Sequence, residues 1–276
     1  MHYKFEAFAA LHVPGDPLIL YNAWDVGSAK AVARAGARAI GTGSWSVAAA
    51  LGYDDGEQLP LDLALSGAAR IAGAVDLPVS IDFEGCYAIE PMGVAANMTR
   101  LAQTGAIGCN FEDRVIGGEG LHPIDLQASR IGAARRGAGA SFFINARIDL
   151  FLHAPAERHG ALMTEAIERA LAYGEAGADG IFVPGLRDGH LVADFCDAGI
   201  KPVNVIPAPV GASVADLAQA GVARISYGPR PYREMMRSLE QAAQAAFAWD
   251  QDVRAIPLSQ RPKRAARNKA RPVQTV

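Results

Sequence analysis

Residues 175–185 read Glu-Ala-Gly-Ala-Asp-Gly-Ile-Phe-Val-Pro-Gly. An Ala-rich segment ends at Gly177, a short apolar run follows, and Pro184-Gly185 closes it. Gly tolerates the left-handed backbone on which a helix stops. A short apolar run bounded by turn residues reads as a buried strand. The same helix-to-strand device recurs at Arg34-Ala35-Gly36-Ala37, Gln103-Thr104-Gly105-Ala106 and Gln219-Ala220-Gly221-Val222. Working outward from these junctions, strands are expected at 17–22, 38–42, 77–82, 107–112, 141–147, 179–184, 202–206 and 223–227. Helices fit between and after them, at 26–35, 61–75, 91–104, 125–138, 161–176, 189–198, 213–220 and 231–249. Pro78 and Pro202 open strands, where a missing N–H does little harm. Eight strands alternating with eight helices over about 250 residues predict an α/β fold, a (β/α)8 TIM-type barrel. A doubly wound open sheet is the runner-up, weakened because no Gly-x-Gly-x-x-Gly follows the first strand.

The 276 residues are 50% apolar and 20% charged, enough to bury a full core and too apolar for a disordered chain. No apolar run reaches the ~18–20 residues of a membrane span. No long apolar segment follows Met1-His2-Tyr3-Lys4-Phe5, so a secretory signal is not expected. The net charge of −3 hides an asymmetry: residues 259–276 hold six basic side chains and no acids, which leaves 20 basic against 29 acidic groups in residues 1–258. An acidic body argues against nucleic acid as a partner. The division expected is a barrel over 1–257 and a basic, disordered tail over 258–276. Cys86, Cys109 and Cys196 have no zinc or redox spacing, which points to a reducing, cytoplasmic compartment.

In such a barrel the chemistry sits where the strands end. Strand one ends in Asn22, Trp24 and Asp25, and strand two in Thr42-Gly43-Ser44-Trp45-Ser46. Strand three ends in Asp82-Phe83-Glu84, strand four in Glu112-Asp113-Arg114, and strand five in Asn145-Ala146-Arg147-Ile148-Asp149. Strand seven contributes Asn204. Asp82, Glu84 and Glu112 are carboxylates on adjacent strands. Converging on one mouth, they would repel unless a cation or protons offset them. Hard oxygen donors without His or Cys suit Mg2+, or Mn2+. Residues two apart on a strand share a face, so Asp82 and Glu84 are both expected to look inward. The bland alternative makes these acids helix caps or surface groups. Arg147 is a permanent cation that either grips a carboxylate or enolate oxygen or forms a structural ion pair with Glu112. The Thr42-Gly43-Ser44 turn offers backbone N–H groups to an anion. Residues 115–123, rich in Gly, read as a mobile loop over the mouth. Glu119 and His122 are its titratable groups, His122 being read as a packing residue first.

At these positions the chain resembles the phosphoenolpyruvate mutase/isocitrate lyase superfamily, over residues 16–250 and nearest to its phosphonomutase-like members. The matching stretches are Leu20–Asp25, Ser80–Tyr87, Gly108–Asp113, Ile144–Asp149, Gly177–Gly185 and Pro202–Val205. The resemblance implies a barrel whose last helix is exchanged between subunits of a homodimer or homotetramer. It implies Mg2+ with a 2-oxo acid or its enolate. On that basis Asp82 would bind the metal directly, and Glu84 and Glu112 through water. Arg147 would meet the enolate oxygen and carboxylate, with Glu112 and Asp55 in the catalytic set. Thr42, Gly43 and Ser44 would bind the carboxylate, with Trp24 and Asn204 lining the pocket.

The chain also departs from that family. The second metal carboxylate is usually Asp, and here it is Glu84. The Lys-x-Cys-Gly-His loop of the isocitrate and methylisocitrate lyases is replaced by Gly117-Gly118-Glu119-Gly120, and the Lys and Asn-Ser pair of the phosphonate enzymes is missing. The expectation is a Mg2+-dependent lyase that breaks a C–C bond of a 2-oxo acid through an enolate, by aldol-type cleavage or oxaloacetate-type decarboxylation. The partner is then a small carboxylate, not a nucleic acid or a membrane. The alternatives are a C–P bond enzyme and a catalytically silent barrel that binds metal and oxo acid.

Overall fold

A computed structural model describes residues 2–200, 202–208 and 211–255. All eight expected strands are present: β1 (Leu18–Leu20), β2 (Ile40–Gly41), β3 (Val79–Asp82), β4 (Gly108–Glu112), β5 (Phe143–Arg147), β6 (Gly180–Phe182), β7 (Val203–Val205) and β8 (Arg224–Ser226). They form one parallel sheet in the order β1-β8-β7-β6-β5-β4-β3-β2. The seam between β1 and β2 is joined by a parallel bridge of Ala23 with Thr42, where the Ala23 N–H donates to Gly41 O at 2.8 Å. The protein is a (β/α)8 barrel.

The helices are α1 (His2–Ala10), α2 (Val26–Arg34), α3 (Ser44–Ala50), α4 (Leu61–Ala74), α5 (Pro91–Ala102), α6 (Ile124–Ala138), α7 (His159–Glu175), α8 (Gly189–Asp197), α9 (Val214–Gln219) and α10 (Arg230–Ala255). Gly177 does sit at the end of α7 with φ +113°, and Gly36, Gly105 and Gly221 share that positive φ. Two helices escape the sequence pattern. α1 is short and has no capping signal. α3 begins inside the stretch read as a small-residue turn.

Outward strand residues such as Ile81, Phe111, Ile144, Ile181 and Ile225 pack under the helices with Met98, Leu101, Ile131, Tyr173 and Phe195. A second cluster joins Phe8 of α1 to Leu18, Leu20, Ala39, Ile107 and Phe143 at the start of the strands. Phe8 is fully buried and meets Phe143 edge-on at 5.3 Å; burying a side chain of that size stabilises by about 2–3 kcal/mol. α1 therefore closes the N-terminal end of the barrel and leaves the C-terminal ends of the strands open.

The chain divides into two compact units, one running to Tyr232 and one starting at Arg233. In the second, α10 exposes Met235, Leu239 and Phe247. The expected boundary at 257 and the basic tail lie outside the described residues. Among the described residues no helix is long and apolar enough to cross a membrane.

Candidate active site

Asp82, Glu112 and Arg147 are the last residues of β3, β4 and β5, so strand length alone brings them to one rim. Glu112 and Arg147 are register partners, and Arg147 Nη1 lies 2.8 Å from Glu112 Oε2 and 3.9 Å from Asp82 Oδ1. The other edge of the guanidinium is held by Asp149: Nε donates to Oδ1 at 2.5 Å and Nη2 to Oδ2 at 2.9 Å. Asp82 accepts from the Ser44 N–H on Oδ2 (3.0 Å) and from Asn110 Nδ2 on Oδ1 (3.3 Å). Its own N–H donates to Thr42 Oγ1 at 2.9 Å. Asp55, in the loop between α3 and α4, accepts from Ser44 Oγ at 3.2 Å. A cavity of about 220 Å³ opens here, with Ser44, Asp55, Asp82, Asn110 and Arg147 as polar lining and Trp45, Phe182 and Ile206 as apolar walls; Glu112 and Asp149 touch Arg147 without lining the cavity themselves.

Acids outnumber cations here. Burial, then the charge of Asp82, raises the pKa of Asp55. Burial raises Glu112 well above the usual carboxylate range, with Arg147 opposing and Asp149, Asp82 and Glu84 adding to the rise. Glu84 is pushed up to about 7 by burial, aided by Asp55, Asp82 and Glu57 and opposed by the Glu57 N–H. Burial works against the charge of Arg147, but Asp149, Glu112 and Asp82 outweigh it and keep the guanidinium charged. Among the described residues only Arg147 forms ion pairs with these carboxylates, a crowding that a proton or a bound cation relieves.

Residues 8–247 match the model of the phosphoenolpyruvate phosphomutase family. The chain belongs to that family. A crystal structure from Burkholderia cenocepacia J2315 described as a candidate phosphonomutase is 45% identical, with TM-score 0.86 over 89% of this chain and 99% of that one. An uncharacterised protein of Mycobacterium tuberculosis is 37% identical over 203 residues, 74% of each chain. The 2-methylisocitrate lyase of Escherichia coli is 29% identical over 216 residues, 74% of this chain and 69% of that one. The protein is accordingly an enzyme of the phosphoenolpyruvate mutase/isocitrate lyase superfamily, whose members here are lyases and mutases.

Within this phosphomutase-family barrel the other expected site residues are distributed as follows. Thr42 Oγ1 accepts the Asp82 N–H, and its own N–H is spent on Ser80 O (3.0 Å). The Gly43 N–H goes to Ala23 O at 3.3 Å and the Ser44 N–H to Asp82. The backbone donors expected to meet a substrate are therefore engaged, one of them by a carboxylate of the protein. Trp45, not Trp24, lines the cavity; both rings stand edge-on to Tyr232, at 5.8 and 5.1 Å. Asn204 is buried below the cavity, where Oδ1 accepts from Ser226 Oγ at 3.2 Å. Asp25 caps α2, with Oδ1 accepting from the Ser28 N–H at 2.7 Å, so here the bland alternative holds.

Glu84 is not turned inward as strand alternation predicts. β3 ends at Asp82, and Glu84 has φ +49°, which breaks the alternation. Its Oε2 accepts the Glu57 N–H at 2.7 Å. It borders, with Asp82, Thr42 and Tyr87, a separate cavity of about 30 Å³, the size of one water. His122 is buried, its N–H bonded to Asp113 O (2.8 Å) and its carbonyl to Arg169 Nη1 (2.9 Å), while Glu119 is exposed. Neither lines the central cavity.

Three contributors had no role assigned from the sequence, although Asn22 and Asp149 stand among the strand-end residues. Asp149 is two residues beyond Arg147 in a stretch already singled out. Asn110 is two residues before Glu112, so alternation puts it inside the barrel. Asn22, at the end of strand one, accepts the Tyr227 and Gly228 N–H groups at 2.8 and 2.9 Å and donates to Thr42 O at 2.7 Å, tying the mouth together.

The donor set suits a hard divalent ion. Among the described residues no three His, Cys, Asp or Glu side chains converge tightly enough to hold an ion unaided. Mg2+ does not need that, since it keeps several waters and takes one or two carboxylates. Asp82 borders both cavities.

Proposed function

We propose that this enzyme is a Mg2+-dependent lyase that cleaves a C–C bond beside a 2-oxo acid group through an enolate. The observation that carries the reading is the rim itself: an excess of buried carboxylates around Asp82, with one fixed guanidinium facing the same cavity. Asp82 would hold Mg2+ directly, with Glu84 and Glu112 reaching it through water; Mn2+ would serve in its place. When bound, the metal supplies Lewis-acid stabilisation of negative charge on oxygen.

The chain's own residues account for the rest. Arg147 lines the cavity, held by Asp149 through Nε and Nη2 and by Glu112 through Nη1, and there it would bind the substrate carboxylate and offset charge as the enolate forms. Asp55 borders the same cavity with a raised pKa and a hydrogen bond from Ser44, so it is suited to hold or pass a proton. Trp45, Phe182 and Ile206 limit water around the reacting carbon. Among the described residues no Lys or Cys lines the cavity, and Glu119 and His122 are not in its lining. Loss of CO2 from an oxaloacetate-like substrate asks least of a protein acid and fits this lining best.

The test is an assay with Mg2+ on oxaloacetate, methylisocitrate, dimethylmalate and phosphonopyruvate. Pyruvate from oxaloacetate, lost in Asp82→Ala and Arg147→Ala, is the expected result. Turnover that survives both substitutions removes the site assignment. Phosphate released from phosphonopyruvate selects the C–P alternative, which the 45% identity to a candidate phosphonomutase favours. Oxo-acid binding without turnover of any substrate selects a silent barrel. We further place the protein in the cytoplasm, its three cysteines being free thiols. It would act as a homodimer or homotetramer, supported by Met235, Leu239 and Phe247 exposed on α10. Monomer mass in sedimentation would remove that assignment.

A further inference from the structure

The bore of a (β/α)8 barrel is ordinarily filled by branched apolar side chains. Below this cavity it is polar: Asn110 on β4, Asn145 on β5, Asn204 on β7, and Arg224 and Ser226 on β8, all buried. Arg224 is 1% exposed, and among the described residues no carboxylate forms a salt bridge with it. Its Nη2 donates to Asn110 Oδ1 at 3.1 Å, its Nε to Ser226 Oγ at 3.4 Å, and its Nη1 has no hydrogen-bond partner. A buried guanidinium without an ion pair is costly to keep. Burial lowers its pKa to about 10, with the nearby charge of Asp82 opposing, so the guanidinium stays charged at neutral pH.

The hydrogen bonds show what that cost achieves. Asn110 Oδ1 accepts from both Arg224 and Asn145 Nδ2 (2.9 Å). An amide oxygen committed to two donors leaves the amide nitrogen facing the other way, and Asn110 Nδ2 donates to Asp82 Oδ1. Asn110 also lines the cavity. We propose that Arg224 is a positioning residue: through the Asn110 amide it fixes the orientation of Asp82, and it sets a positive charge beneath the cavity that receives the dianionic substrate. The inference rests on the site reading above.

Its test has two readouts, with Mn2+ and oxalate as the probes. Oxalate is titrated calorimetrically into Mn2+-saturated protein, and the metal-free protein is melted. For Arg224→Met, oxalate affinity falls at least tenfold while the metal-free Tm stays level or rises, because a buried charge without an ion pair has been replaced by an apolar side chain that fills the space of the Arg stem. Asn110→Ala weakens oxalate binding in the same way with Arg224 intact. Arg224→Lys recovers part of the affinity. A structural role alone predicts the reverse, a lower Tm with unchanged affinity, and that result overturns the proposal. Wild-type binding that both Arg224→Met and Asn110→Ala retain overturns this inference alone. No oxalate binding to the wild type overturns the functional reading, and this inference with it.

Discussion

Glu112 and Asp113 are adjacent in sequence and opposite in circumstance. Asp113 turns out of the barrel toward α7 and is fully buried. Its Oδ1 accepts the Asp149 N–H at 3.0 Å, and its Oδ2 accepts from Arg169 Nη1 at 3.2 Å and Tyr173 Oη at 2.8 Å. Burial pushes its pKa up to about 6, with those donors opposing. Glu112 turns into the mouth, where its carboxylate meets Arg147, a guanidinium already clamped by Asp149. A buried acid with a full set of donors is finished structure. A buried acid sharing one cation with its neighbours is left open to a ligand.

The comparison breaks most visibly on the Asp113 side. Asp113→Ala leaves the Tyr173 hydroxyl and the Asp149 N–H without their acceptor and takes the buried charge partner from Arg169 Nη1, which keeps only the His122 carbonyl and Tyr173. It is expected to cost about 3–5 kcal/mol in urea unfolding; a loss of a few tenths would mean that the cluster is not structural. On the other side, Arg147→Lys keeps a charge but loses the fork that Asp149 grips. The expected effect is a fall in kcat of about a hundredfold with little change in stability. An unchanged kcat would remove the guanidinium from the chemistry.

A third test uses pH. A carboxyl whose pKa is raised in the fold contributes stability that is fully present below its unfolded value. That contribution is lost as pH climbs through the folded value. For Glu84 the window runs from 4.5 to about 7. Glu84→Gln mimics the protonated form and can still accept the Glu57 N–H. Metal-free Glu84→Gln should therefore match the wild type at pH 4.5 and exceed it by about 1–3 kcal/mol at pH 8. A gap that is constant with pH would contradict the crowding of charge at this rim. Smallest is Asp25→Ala, which removes the α2 cap for about 1 kcal/mol and should leave kcat unchanged, since Asp25 lies outside the cavity.

The sequence is most legible where one residue type has one physical reason to be there. Gly36, Gly105, Gly177 and Gly221 mark helix ends because each carries a positive φ, and from those marks the eight strands follow. Asp82, Glu112 and Arg147 are legible because each is the final residue of its strand. Glu84 is not, because the alternation argument holds only while the strand continues. Glu84, Cys86 and Tyr87 all take positive φ, a strained exit from β3 held by Asn97 and Arg130 through backbone carbonyls. No local pattern announces such a turn in residues other than glycine. α3 is hidden for another reason: Ser-Trp-Ser-Val-Ala-Ala-Ala is too short to show a helical period after a strand. The role of Arg224 is equally silent, since a lone basic residue in an apolar run reads as a surface group until the barrel closes around it.

On the proposed reading, the carboxylates at the ends of β3 and β4 are arranged for one divalent cation, and the acid next door is not. Mn2+ titration followed by electron paramagnetic resonance tests it directly. One bound ion per chain is expected, lost in Asp82→Ala and retained in Asp113→Asn. Wild-type protein that binds no ion, or an Asp82→Ala variant that binds as well as the wild type, would contradict it.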